Sequence, residues 1–201
     1  MKNIDAIFIE AGHGKKTLFG FDQGATAKLG EKIYTERELA KDLAQRVIEK
    51  LAPKTKCPIL GVSMDTDGAT LEKKTAYING TIAARGWKNC LGIALHFNSI
   101  AGSDARGFEI FYQKKNSLIL PITRSISAAM EKYKVFSPRN PSIKSTEYYS
   151  EKRLYIDDWK AGSILIETCF ISNPSDLKNY LIQTDRVAES IANGILTYLR
   201  S

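Results

Sequence analysis

Cysteine is scarce in this chain, and what there is does not pair: Cys57, Cys90 and Cys169 are odd in number and widely spaced, with no CxxC arrangement. That excludes a disulfide framework and a thiolate zinc site, and makes a reduced environment the default. No stretch approaches the roughly 20 apolar residues of a membrane helix, so membrane insertion is not expected. The first five residues, Met1-Lys2-Asn3-Ile4-Asp5, lack the basic and then apolar pattern of a secretory leader. Synthesis in the cytoplasm is the expectation. Repeats, low-complexity tracts and Gly/Ser/Pro linkers are missing too, so one domain over residues 1–201, without an appended targeting domain, is expected. The formal net charge of +7 suits an anionic partner. However, the basic pairs Lys15-Lys16, Lys73-Lys74, Lys114-Lys115 and Lys152-Arg153 are scattered, and no basic-aromatic motif supports nucleic-acid binding.

What is present reads as an α/β protein. Short apolar runs alternate with segments of helical period, at 43% hydrophobic and 25% charged content. Strands are predicted at Ala6 to Glu10, Ile59 to Ser63, Leu91 to His96, Gly107 to Tyr112 and Ser163 to Glu167. Helices are predicted at Glu36 to Leu51, Thr70 to Arg85, Leu118 to Tyr133 and Asp185 to Leu199. In the first, Leu39, Leu43, Val47, Ile48 and Leu51 share a face; in the last, Val187, Ile191, Ile195 and Leu199 do. Together these imply a central, mostly parallel sheet of about six strands with helices on both faces. Val135 to Tyr149, with Pro138 and Pro141 inside it, reads as a surface loop that precedes the last strand and could lie beside a site.

Only two histidines occur, His13 and His96, and each closes an apolar strand-like run. Strand ends are where ligands bind in α/β sheets, so the pair points to one shared site. A catalytic zinc takes three protein ligands and leaves a position for water. The third ligand should be an acid, for which Glu36 at the start of the first helix is the favoured candidate, with Glu31 and Glu38 as neighbours that compete. Glu36 would equally suit a plain helix N-terminus, where carboxylates are favourable without a metal. Glu167, embedded in Ile164-Leu165-Ile166-Glu167-Thr168-Cys169-Phe170-Ile171, has surroundings that raise a carboxyl pKa toward the range of a general base.

In combination these segments resemble a known family. Ile7 to Gly14 resembles the first zinc-ligand motif of the zinc-dependent N-acetylmuramoyl-L-alanine amidases, the type found in cell-division amidases and phage endolysins. Asp22-Gln23-Gly24-Ala25, Glu36 with the helix behind it, Leu95-His96-Phe97-Asn98-Ser99 and Gly107 to Tyr112 resemble the following blocks, in family order. Ile166 to Asp176 resembles the catalytic-glutamate motif and the turn after it. The similarity runs from about Ile7 to Leu199, with departures: Glu10 stands where Asp is usual, Ala11 where Pro is usual and Lys74 where Arg is usual. The stretch Lys15 to Phe21 looks lengthened, and Arg139-Asn140 matches the family's Arg-Gly segment poorly.

The resemblance implies a single Zn²⁺ on His13, Glu36 and His96, with Glu167 as general base and Asn98, Asn173 and Arg139 as substrate contacts. It further implies hydrolysis of the amide between N-acetylmuramic acid and L-alanine of peptidoglycan by zinc-activated water. The partner would then be a muropeptide and the chain a monomer, released to the wall by lysis or a holin unless a leader is missing. Two readings stay open: a zinc peptidase or carboxypeptidase acting on stem peptides, and a wall-binding module without catalysis.

Overall fold

The computed structural model describes residues 2–17, 20–64, 69–102, 104–116, 119–148 and 154–201, with side chains undescribed at 16, 17 and 20. Leu118, Tyr149, Lys152 and Arg153 lie outside these residues, as do 18 and 19 of the lengthened segment. In chain order the elements are β1 (Ala6–Ala11), β2 (Lys16–Thr17), β3 (Gly20–Phe21), β4 (Thr26–Leu29), β5 (Lys32–Thr35), α1 (Glu36–Leu51) and β6 (Ile59–Val62). Then come α2 (Leu71–Arg85), β7 (Cys90–Asn98), β8 (Phe108–Tyr112), α3 (Ile119–Tyr133), β9 (Pro138–Ser145), β10 (Gly162–Phe170) and α4 (Pro174–Arg200).

Six strands form one sheet in the order β6-β1-β7-β10-β8-β9. Pairing is parallel throughout except between β10 and β8. β1 is buried along its whole length, as expected of a strand inside a sheet covered on both faces. The two faces are covered unequally. Ile7 and Ile9 of β1, Leu91, Ile93 and Leu95 of β7, and Ile164 and Ile166 of β10 pack under α1, α3 and α4. The alternate residues Ala6 and Phe8, Ala94, Leu165 and Phe111 meet α2 through Ile78 and Ile82, with Ile156 and Trp159 from the 3-10 turn Tyr155–Asp158. Continuing that second face toward the strand ends, the alternation replaces apolar residues with Glu10, His96, Glu167 and Glu109. His96, Glu167 and Glu109 are register partners across three adjacent strands. The thinly covered face thus changes from core to site within a few residues.

Helix starts follow the rules of capping. The Thr35 hydroxyl accepts from the Glu38 amide and donates to the Glu38 carboxylate, an N-cap that marks where α1 begins. The predicted strands and the first three helices lie where expected, give or take a few residues.

Two segments differ from expectation. Val135 to Tyr149 is not a loop along its length, because Pro138–Ser145 forms β9 at the edge of the sheet, parallel to β8. Its two prolines are tolerable there, since an edge strand has one side that needs no ladder partner. The last helix begins at Pro174, not Asp185, and bends at Gln183 (φ −120°, ψ 22°). The Asn173 side chain accepts from the amides of Ser175 and Asp176, and Pro174 fits the first helical position because it has no N–H to leave unpaired.

Candidate metal centre

β1, β7 and β10 run in the same direction, so their C-terminal ends bring His13, His96 and Glu167 to one side of the sheet. Glu36 arrives from the first turn of α1, buried, and its position is fixed by its own backbone: Glu36 N donates to Ala25 O at 2.8 Å. Its carboxylate lies between the two imidazoles, with Oε2 2.9 Å from His13 Nε2 and Oε1 3.0 Å from His96 Nδ1. One ligand atom from each of His13, Glu36 and His96 lies within 4.8 Å of the others. Two nitrogens and a carboxylate oxygen in that space are the donor set of a catalytic zinc. Glu31 and Glu38 are exposed, the former in the β4–β5 turn and the latter on the α1 cap, which removes them as competitors.

The ring nitrogens that face away from the cluster are also occupied. His13 Nδ1 is 3.0 Å from Asp22 Oδ2, and Asp22 is itself held by the Gly24 amide at 2.9 Å. His96 Nε2 is 3.0 Å from the Tyr155 hydroxyl. Outer partners of this kind set the tautomer of a ligating histidine. Arg37 secures the turn after β1, donating from Nη1 to the carbonyls of Ala11 and Gly12 at 3.1 Å each. Glycine is required beside both rings. A Cβ on Gly12 would lie 2.5 Å from His96 Cε1, and one on Gly24 (φ +68°) 2.6 Å from His13 Cδ2.

The electrostatics describe a cluster built for positive charge. Burial resists protonation of His13, yet the hydrogen bonds and charges of Glu36 and Asp22 outweigh it and raise the imidazole to about 9. Burial likewise opposes the charge of His96, whose pKa is nonetheless raised by Glu36, Glu10 and Glu167. Glu36 is held well below the ordinary carboxylate range, its desolvation overcome by hydrogen bonds from His13 and His96. Glu167 goes the other way: burial, helped by the charges of Glu36 and Glu109, lifts its carboxyl to about 7 against the pull of His96. Its Oε2 is buried with no hydrogen-bond partner. A carboxyl with a buried oxygen left without a partner, beside such a cluster, is a candidate acid–base group.

Glu167 also lines a cavity of about 380 Å³ with Asn98, Glu109, Phe111, Arg139 and Phe170, among others. Asn98 donates to Glu109 Oε1 at 2.7 Å and accepts from the Ser99 amide. Arg139 comes from β9, with Nε 3.1 Å from Glu109 Oε2 and its guanidinium over the Phe170 ring. Asn173 is placed differently from expectation. Both ends of its amide serve the fold, the oxygen at the α4 cap and Nδ2 on Ala105 O at 3.2 Å, and it is not among the residues lining this cavity.

Sequence reasoning left Asp22, Tyr155, Glu10 and Lys74 without roles. For Glu10 a signal existed, since Ala6-x-Phe8-x-Glu10 puts an acid on a face that is otherwise apolar. Tyr155 had none, because its approach to His96 depends on a turn far away in the chain.

Among the described residues no helix is long and apolar enough to cross a membrane. In comparison with known proteins, the chain is 29% identical over 98% of its length to N-acetylmuramoyl-L-alanine amidase LytC of Bacillus subtilis (strain 168), and spans 36% of that protein. Its fold resembles an N-acetylmuramoyl-L-alanine amidase from Clostridium difficile 630, at a TM-score of 0.80 and 21% identity, covering 100% of this chain and 99% of that one. It also resembles the catalytic domain of CwlV, an N-acetylmuramoyl-L-alanine amidase from Bacillus (Paenibacillus) polymyxa var. colistinus, at 0.76 and 21%, covering 98% and 99%. The family model described as N-acetylmuramoyl-L-alanine amidase matches residues 7–197, from the strand that leads to His13 to the last turns of α4, and the chain belongs to that family.

Proposed function

We propose that this chain is a zinc-dependent hydrolase that cleaves the amide between N-acetylmuramic acid and the L-alanine of the peptidoglycan stem peptide. The observation that carries the reading is the approach of His13 Nε2, the Glu36 carboxylate and His96 Nδ1 next to Glu167, whose Oε2 is buried without a hydrogen-bond partner. Zinc in such a site supplies a Lewis acid for the carbonyl and lowers the pKa of a bound water.

The remaining work belongs to the side chains. Two neutral imidazoles and one carboxylate would leave a Zn²⁺ held between them with a net positive charge, able to stabilise the oxyanion that forms at the carbonyl. Glu167, near neutrality in its pKa, takes a proton from the attacking water and returns it to the alanine nitrogen as the C–N bond breaks. The water oxygen ends in the lactyl carboxylate and its protons on the free amine and Glu167 or solvent. Asn98 and Arg139, on the wall of the same cavity, contact the substrate. The +7 charge favours capture of an anionic wall polymer, an attraction that salt weakens. The chain acts at the cell wall as a monomer with one zinc ion.

Mass spectrometry of purified muropeptides, digested with and without a chelator, tests this reading. Free L-alanine N-termini are expected, lost with the chelator and restored by zinc. Shortened stem peptides with the lactyl amide intact would establish a peptidase instead. No product in either arm would leave a wall-binding module.

A further inference from the structure

Glu10 and Lys74, two of the departures from the family pattern, are partners. Lys74 is buried in α2, and its Nζ pairs with Glu10 Oε1 while donating to Ala11 O at 3.1 Å and to His13 O at 2.7 Å. All three ammonium protons thus have acceptors, and one of them is the backbone of a candidate ligand. The other oxygen of Glu10 accepts from the Tyr155 hydroxyl at 2.7 Å. That hydroxyl lies 3.0 Å from His96 Nε2.

We propose that Tyr155 is a positioning residue that, with Glu10 and Lys74, fixes the tautomer of His96 so that its Nδ1 faces the metal. This rests on the proposed metal centre. The argument is a count of protons. A hydroxyl has one to donate, and the ionised Glu10 carboxylate, paired with Lys74, can only accept. The Tyr155 proton therefore goes to Glu10, and the phenol oxygen presents a lone pair to His96. Nε2 must then keep its proton, and Nδ1, which donates to Glu36 Oε1 at 3.0 Å, is the nitrogen that can give its proton up to a metal. Asp22 does the same for His13 with the nitrogens exchanged: its carboxylate holds the Nδ1 proton, so Nε2 is the nitrogen that gives its proton up.

The turn that carries Tyr155 is pinned to the domain at several points. Asn79 of α2 donates to Asp158 O at 2.9 Å and accepts from the Lys160 amide at 2.7 Å. Gln113, just past β8, reaches the carbonyls of Ile156, Asp157 and Trp159. The Tyr155 ring stands edge-on to Trp159, with centroids 5.6 Å apart. A hydroxyl mounted this firmly can impose an orientation on the imidazole instead of following it.

The test is zinc affinity at pH 7.5, measured by competition with a chelator, for the parent and Tyr155→Phe. It is joined by long-range proton–nitrogen spectra of the zinc-loaded parent. Outer-partner loss predicts about ten- to hundredfold weaker zinc binding in the variant. The parent spectrum should show His96 protonated at Nε2 and metal-bound at Nδ1. A variant affinity within twofold of the parent would overturn the proposal, as would zinc on Nε2 of His96. If Tyr155→Phe fails to fold, the parent spectrum alone decides. A parent that binds no zinc would overturn the proposed function itself, and the relay with it.

Discussion

Lowering the pH from 9 to 6 should strip metal from this protein well before it harms the fold. In the metal-free chain His13 titrates at about 9, because Glu36 and Asp22 hold a proton between them despite burial. Zinc can use His13 Nε2 only when that proton has left. Apparent affinity should therefore fall about tenfold for each pH unit below 9. At pH 7 the deficit is on the order of a hundredfold, about 2.7 kcal/mol, relative to the deprotonated site. His96 is shifted upward as well, so the slope should steepen toward about two protons per ion once its pKa is passed. Stability of the metal-free chain should run the opposite way. The His13 pKa is raised from 6.5 to about 9, so its contribution is complete below 6.5 and is lost as the pH rises through 9. Calorimetry in buffers of different ionisation heat counts the protons released, and chelator competition gives the affinity. Release of fewer than about half a proton at pH 7, with affinity flat between 9 and 7, would refute the electrostatic account.

Three further outcomes are expected. Glu167→Gln should bind zinc normally and lose about 10²- to 10⁴-fold in turnover on muropeptides, read by the same product analysis; wild-type rates would remove Glu167 as the base. Gly24→Ala should weaken zinc by at least about tenfold in a chelator competition, because the new Cβ meets the His13 ring and Glu36 Oε2 at 2.6 and 2.7 Å and the backbone is left-handed there. Asn173→Ala should cost about 1 kcal/mol, a melting shift of about 2–4 °C, with KM unchanged, as befits a helix cap; a raised KM at unchanged stability would return Asn173 to the substrate.

The parts legible in the sequence are those governed by local rules. Periodicity located α1 because Leu39, Leu43, Val47 and Leu51 must all reach one core, and β1 because six successive residues are buried on both faces. His13 and His96 could be singled out since each closes an apolar run, and Glu167 because it is an acid embedded in one. What escaped depends on distant partners or on competing local signals. β9 is recognisable as a strand only beside β8, because its prolines argue for a loop until one sees that it lies at the edge. The first half of α4 was hidden by the polar run after Phe170, although Asn173 and Pro174 are a start signal that could have been read. Glu10 and Lys74 looked like separate oddities because 64 positions divide them, and only the sheet-to-helix contact shows that they are two halves of one charge pair.

The uneven position of the site across the sheet has a consequence for how such a domain can diversify. Candidate ligands His13 and His96 sit at the ends of interior strands β1 and β7, where a shift in register would disturb neighbours on both sides. Arg139, on the wall of the cavity, belongs to β9, which is bonded to the sheet along one side only. Changes of length or composition there meet a single partner strand and leave the interior untouched. The candidate ligands and one of the proposed substrate contacts are thereby carried by parts of the sheet with different tolerance to mutation, so new preferences can be explored at the margin while the reactive centre stays constant.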